Sequence, residues 1–148
     1  VYRPLSLVMF AIEWQLSPNN PHFHHLINVL MYAFVCVLLF FVLIRYTKIN
    51  IYLLFITALL FAAHPIHTEV VANIKSRDEL SSMLFLLLSL VCISKYVTSN
   101  KIGMLIGTLL CFFLALLSKE SAIVYVAIAP LFIYFLLSKS PNPVWISW

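Results

Sequence analysis

Four clusters of polar residues interrupt an otherwise apolar chain, and each has a spacing that could do chemistry. The densest is Ala63-His64-Pro65-Ile66-His67-Thr68-Glu69. A run of apolar residues cut short by a proline and followed by ionisable groups points to a binding site at membrane depth. If Pro65 opens a new helical turn, His64 and His67 are three apart and share a face, while Glu69 points elsewhere unless the helix bends. Imidazoles suit sugar hydroxyls when neutral and phosphate when charged, and the carboxylate could act as a base or bind hydroxyls. Metal would need a third ligand, and H-x-x-H is a poor match to the H-E-x-x-H zinc helix, so none is expected. The plain alternative is a polar cap with an interfacial histidine pair.

The second cluster is Lys75-Ser76-Arg77-Asp78-Glu79. Two cations at the opening of a helix, near its unpaired backbone N–H groups, make a phosphate site. The same residues also read as a Ser76…Glu79 capping box with Arg77 paired to Asp78. The third, Ser118-Lys119-Glu120-Ser121, is a tight turn in which Lys119 could contact phosphate and Glu120 could fix it. A solvated turn with one local ion pair explains it equally. The fourth lies around His24-His25, where His25, Asn28 and Tyr32 form a stripe at i, i+3 and i+7. Polar residues on one stripe of a spanning helix face protein or a cavity, whether for a ligand or for interhelical hydrogen bonds.

The elements that carry these clusters are helices in a membrane. Hydrophobic residues make up 64% of the 148 and charged residues 9%, with mean hydropathy +1.05. Ordinary globular chains carry about 45–50% and about 25%. So few charges exclude a water-soluble domain, a disordered chain and a nucleic-acid module, since nine basic residues against five acids form no dense patch. A spanning helix needs about 20 apolar residues. About five segments qualify or nearly do: 26–44, 51–63, 80–94 with Lys95 to snorkel, 102–118 and 122–138. The fold expected is all-α, a polytopic membrane helix bundle.

Residues 1–25 read as an outer loop whose stretch from Leu5 to Leu16, holding Glu13 and Trp14, lies at the interface. Asn20-Pro21 is an N-cap with proline at the first helical position. Gly103 and Gly107 form a G-x-x-x-G packing face. Pro130 should kink the fifth span. Cys36, Cys92 and Cys111 sit inside apolar runs as small packing residues. The tail 139–148 carries Trp145 and Trp148 as interface anchors.

If spans alternate, one side carries Arg45, Lys48, Lys95, Lys101 and Lys139. The other carries Arg3, Lys75, Arg77 and Lys119, together with all five acids and all five histidines. The purely basic side reads as cytoplasmic, which places the titratable side in the periplasm or lumen. With no initiating methionine and no signal peptide at Val1-Tyr2-Arg3-Pro4, the chain reads as a piece of a longer multi-pass protein.

Five motifs in this order resemble a known family: Tyr2-Arg3-Pro4-Leu5; His25 to Leu30; Phe61 to Ile74, with its H-P-x-H-T-E block; Ser76-Arg77-Asp78-Glu79; and Leu117-Ser118-Lys119-Glu120. They are similar to the membrane core of the transmembrane-and-tetratricopeptide-repeat O-mannosyltransferases, in the GT-C superfamily of lipid-linked sugar transferases. The resemblance runs from about residue 2 to residue 138. It departs at Tyr32, where the family commonly has histidine, at Asp78, where it has a small residue, and at Ser76, where it has glycine.

The resemblance implies a glycosyltransferase that moves a sugar, mannose in this family, from a polyprenyl or dolichyl phosphate to a protein hydroxyl on the non-cytoplasmic side. It implies Arg77, Lys119 and Arg3 for the lipid phosphate. His64, His67 and Glu69 would shape the sugar and acceptor pocket, with His25 and Asn28 behind them and Glu79 and Glu120 alongside. The acidic catalytic motif of such enzymes lies in the first outer loop, so the catalytic Asp is expected upstream of Val1, with Glu69 the one candidate inside the chain. By itself this piece is expected to be inactive. The donor is the lipid-phosphate sugar, and no divalent metal is expected. The partners are a protein acceptor and membrane lipids, with no nucleic acid. A multi-pass transporter or lipid carrier is the main alternative, and a non-catalytic scaffold the second.

Overall fold

The computed structural model describes residues 3–18, 20–47 and 49–138, the last four as backbone only. Lys48, Lys139, Trp145, Trp148 and the tail 139–148 lie outside the described residues. Among the described residues seven α-helices carry the fold: α1 Pro4–Leu16, α2 Pro21–Tyr46, α3 Ile51–Ala63, α4 Ile66–Ala72, α5 Arg77–Ser99, α6 Ile102–Ser118 and α7 Tyr125–Ser138. Single 3-10 turns, Ile74–Ser76 and Glu120–Val124, lead into α5 and α7. Among the described residues there is no strand, and the fold is an all-α membrane helix bundle.

Two helical stretches, Pro21–Tyr46 and Ile74–Ser99, are long and apolar enough to cross a membrane. A third crossing exists if α3 and α4, bent by 58° at their break, count as one span. The segments expected as the fourth and fifth spans are the 17-residue α6 and the 14-residue α7, each shorter than a full crossing.

The helix ends follow from local chemistry. Asn20 caps α2 as expected, its side chain accepting the Phe23 N–H at 3.3 Å, with Pro21 in the first turn. Asn50 does the same for α3, accepting from the Tyr52 N–H at 2.9 Å. Asn100 takes the left-handed conformation (φ 52°) that closes α5, and only Lys101 separates it from α6. The expected Ser76…Glu79 capping box does not form. Ser76 makes no side-chain cap bond, because it ends a 3-10 turn and Glu79 is drawn across to α6.

Helix α5 is the hub. Its buried side chains include four serines, Ser81, Ser82, Ser89 and Ser94, small enough to admit neighbouring backbones. Ser89 Oγ lies 3.1 Å from the Thr108 carbonyl and 2.8 Å from the Tyr125 hydroxyl, tying α5 to α6 and α7. At the far end Ser94 meets the Tyr46 hydroxyl of α2. An apolar core of Val35, Val42 and Leu87, flanked by Phe61 and Met83, fills the space between α2, α3 and α5.

Of the two glycines only Gly107 serves packing. A Cβ there would sit 3.5 Å from Cys92 Sγ on α5, whereas one at Gly103 would meet nothing within 4 Å. Helix α1 is a 13-residue element whose inward face, Ser6 and Glu13, is buried against α5 and α6.

Candidate functional site

The break between α3 and α4 follows from one missing donor. Pro65 has no N–H, so the Phe61 carbonyl loses its helical partner. The next donor, Ile66 N–H, turns instead to His64 Nδ1 at 3.2 Å, so the Ala62 carbonyl loses its helical partner as well. The Phe61 carbonyl keeps the His64 N–H at 3.3 Å, and the Tyr32 hydroxyl of α2 reaches both carbonyls, at 3.2 and 3.1 Å. His64 is therefore a local cap with its ring exposed. His67 lies on the same side, 6.0 Å away between ring centroids, and turns inward against Phe61 (4.4 Å) and Tyr32 (5.7 Å). Glu69 stands apart from this pair, exposed and making no side-chain hydrogen bond or ion pair among the described residues.

The second cluster departs most from the sequence reading. Arg77 was expected to face a phosphate or pair with Asp78. It is fully buried at 0% exposure, and protein groups take all three of its nitrogens. Nε donates to Asn28 Oδ1 at 2.8 Å, Nη1 to Glu13 Oε1, and Nη2 to the His24 carbonyl at 2.9 Å. Its guanidinium also lies over the Phe10 ring, 4.7 Å from the centroid. No face is left for a lipid phosphate, and a buried guanidinium needs these acceptors to offset its lost hydration. Asp78 pairs with Arg3 instead, so Arg3 too is engaged, although a third of its side chain stays exposed.

Asn28, also fully buried, completes the network by donating to the Asn73 carbonyl at 3.3 Å. Glu13 divides its carboxylate, one oxygen to Arg77 and the other to His24 Nδ1 at 2.7 Å. The helical stripe that faces protein is thus His24-Asn28-Tyr32, at i, i+4 and i+8. His25 is exposed and makes no side-chain hydrogen bond or ion pair among the described residues.

Glu13 is the residue the sequence reading missed. Its signal was a lone carboxylate on the same face as Ser6 in an apolar helix, a placement that needs a buried cation. His24 was missed by one position, because two adjacent histidines leave the stripe's register open.

The third cluster closes a cleft of about 290 Å³ between α2, the α3–α4 bend, α5 and the turn after α6. Val35, Val70, Leu80, Met83 and Leu86 make its apolar wall. Lys119, Glu79, His67 and Tyr32 supply polar groups, with Ser82 and Ser121 beside them. Lys119 Nζ pairs with Glu79, so the expected local pair with Glu120 is replaced by a contact forty residues away in sequence. Glu120 is exposed and unbonded. The cleft therefore offers one ammonium, one carboxylate and one imidazole beside a greasy wall, which suits an amphiphile with a small anionic head. No three His, Cys, Asp or Glu side chains gather at one point among the described residues.

Against known proteins, the chain is 34% identical to Protein O-mannosyl-transferase TMTC2 of Mus musculus over 146 residues, 93% of this chain and 17% of that protein. The match to TMTC2 of Homo sapiens has the same identity and coverage. Protein O-mannosyl-transferase TMTC1 of Homo sapiens is 42% identical over 87 residues, 58% of this chain and 10% of that protein. No family model matches the chain, and no solved structure matches it.

Proposed function

We propose that the chain, which belongs with the TMTC protein O-mannosyl-transferases as a homologue of one stretch of them, 17% of TMTC2's length, forms part of the membrane core of such a transferase. In this reading the cleft takes the head of a polyprenyl- or dolichyl-phosphate sugar, and mannose passes to a hydroxyl of a protein acceptor. The active side faces the periplasm or lumen, where the acids and histidines are concentrated.

The observation that carries the reading is the cleft's pairing of Lys119 and His67 with an apolar wall. Lys119 would meet the phosphate and oppose the charge that builds on it as the sugar leaves. The His67 ring could donate to the phosphate or to a sugar hydroxyl. The first isoprene units would lie along Leu80, Met83 and Leu86. Exchanging Glu79 for phosphate costs little, since a partly exposed ion pair contributes roughly 0–1 kcal/mol. Arg77, Arg3 and Asn28 then act as the frame that sets α5 beside α1 and α2, and phosphate binding rests on Lys119. His64, Glu69, His25 and Glu120 remain open to substrate, with no role that the cleft requires.

The test uses the full-length protein in membranes with a lipid-phosphate mannose donor. Lys119→Gln should raise the donor KM about tenfold, the size of one charge-assisted contact, and Lys119→Arg should recover most of the loss. An unchanged donor KM in a well-expressed Lys119→Gln protein removes Lys119 from the phosphate site. A second reading, a transporter or lipid carrier, is favoured by the proline-broken α3–α4 pair. Flux of lipid across liposomes without any sugar transfer would favour it over the transferase.

A further inference from the structure

Glu13 and His24 form a carboxylate–imidazole pair within the buried network, and one ring nitrogen of that pair is used by neither the cleft nor the fold. Glu13 accepts from Arg77 Nη1 through one oxygen and meets His24 Nδ1 with the other at 2.7 Å. A carboxylate can only accept there, so Nδ1 carries the proton, and a neutral His24 keeps its lone pair on Nε2. Nε2 makes no hydrogen bond among the described residues. Nor is it sealed: the buried polar atoms without partners are Arg3 Nε and Ser6 Oγ, and 11% of the His24 side chain stays exposed. A fixed tautomer, a fixed ring and one open acceptor nitrogen make a built contact for a donor group. If fold stability were the whole role, the Nδ1 bond would suffice.

The position sets what that contact can reach. His24 lies eight residues before Tyr32, which lines the cleft, and so about 12 Å from it along α2. That is too far for a group acting on the sugar's reacting carbon. It is about the span of three or four extended residues of polypeptide.

We propose that His24 Nε2, oriented by Glu13 and Arg77, is a binding contact for the acceptor polypeptide, taking a hydrogen bond from a hydroxyl or amide N–H some residues from the side chain that receives the sugar. The proposal rests on the transferase reading above. It makes His24 a substrate-binding residue, with Glu13 and Arg77 as positioning residues behind it.

The decisive variant is His24→Asn in the full-length protein. Asparagine's amide can still donate to Glu13 from the Nδ1 position but has nothing where Nε2 stands. The contact predicts that KM for the acceptor rises about tenfold, while kcat and the donor KM hold. A purely structural histidine predicts no change in any of these, and that result overturns the proposal.

A second measurement needs no variant. Diethyl pyrocarbonate should modify the His24 imidazole in the wild-type protein, and saturating acceptor protein should slow that modification several-fold. His22 and His25, both exposed, serve as internal references. Equal rates at His24 with and without acceptor also overturn it. A wild-type protein that transfers no mannose at all fails the underlying reading instead, so the two failures are separable.

Discussion

Replacing Arg77 with methionine tests whether the buried network frames the fold. Methionine keeps much of the volume and removes the charge and all donors. Left behind is Glu13, whose side chain is 8% exposed, with only His24 to partner it. Also left are the Asn28 Oδ1 and His24 carbonyl acceptors without their donor. Breaking one side of a buried ion pair costs about 3–5 kcal/mol, because the remaining charge is uncompensated. The orphaned Asn28 Oδ1 pushes the value toward the upper end of that range, while the His24 carbonyl keeps its helical N–H.

Adding Glu13→Gln removes the stranded charge, so the double variant should be about 2 kcal/mol more stable than the sum of the single losses. Lys119→Gln is the control. Its pair is 24% and 45% exposed, and its loss should cost under about 1 kcal/mol. Denaturant unfolding of the full-length protein in detergent micelles, followed by circular dichroism, reads all four. An Arg77→Met loss no larger than that of Lys119→Gln would refute the reasoning. Additive losses at residues 13 and 77 would refute it as well.

Two further outcomes follow from other contacts. Gly103→Ala should be neutral or stabilising by up to about 1 kcal/mol, since nothing lies within 4 Å and alanine is the better helix former. Gly107→Ala should be tolerated at an ordinary 3.5 Å contact, whereas Gly107→Leu should cost roughly 1–3 kcal/mol by pushing α6 off Cys92. Thermal melts of these three variants and of Gly103→Leu separate these, and equal losses for Gly103→Leu and Gly107→Leu would contradict the packing described. Tyr32→Phe should cost about 1 kcal/mol and loosen the α3–α4 bend, because two carbonyls lose their hydroxyl partner. Faster amide exchange confined to residues around the bend is the expected signature.

Helical content, the Asn20-Pro21 start and the break at Pro65 were legible from the sequence because each depends on neighbours in the chain. The capping box was misread for the opposite reason. Ser76 and Glu79 have the right spacing, but Lys119, forty residues on from Glu79, offers a full charge where the Ser76 amide offers a partial one. Arg77 posed the same problem more sharply. Cations at a helix start suit phosphate and suit a buried carboxylate equally, and Glu13 sits sixty-four residues earlier on a helix that looked interfacial. What sequence could reach was the set of polar residues; the pairing among them is set by tertiary contact.

The first turn of α5 has one more consequence. Three consecutive side chains leave it in three directions: Arg77 to α1 and α2, Asp78 to Arg3 at the start of α1, Glu79 to Lys119 beyond α6. Successive residues on a helix are about 100° apart, so the turn works like a key with three differently angled teeth. Inserting or deleting one residue between Ser76 and Leu80 would rotate every tooth into the wrong lock. Rotating α5 about its axis would have to release all three at once. That turn therefore fixes the angular index of α5 in the bundle, and motion at the cleft is left to the elements not keyed to it, α3 and α4.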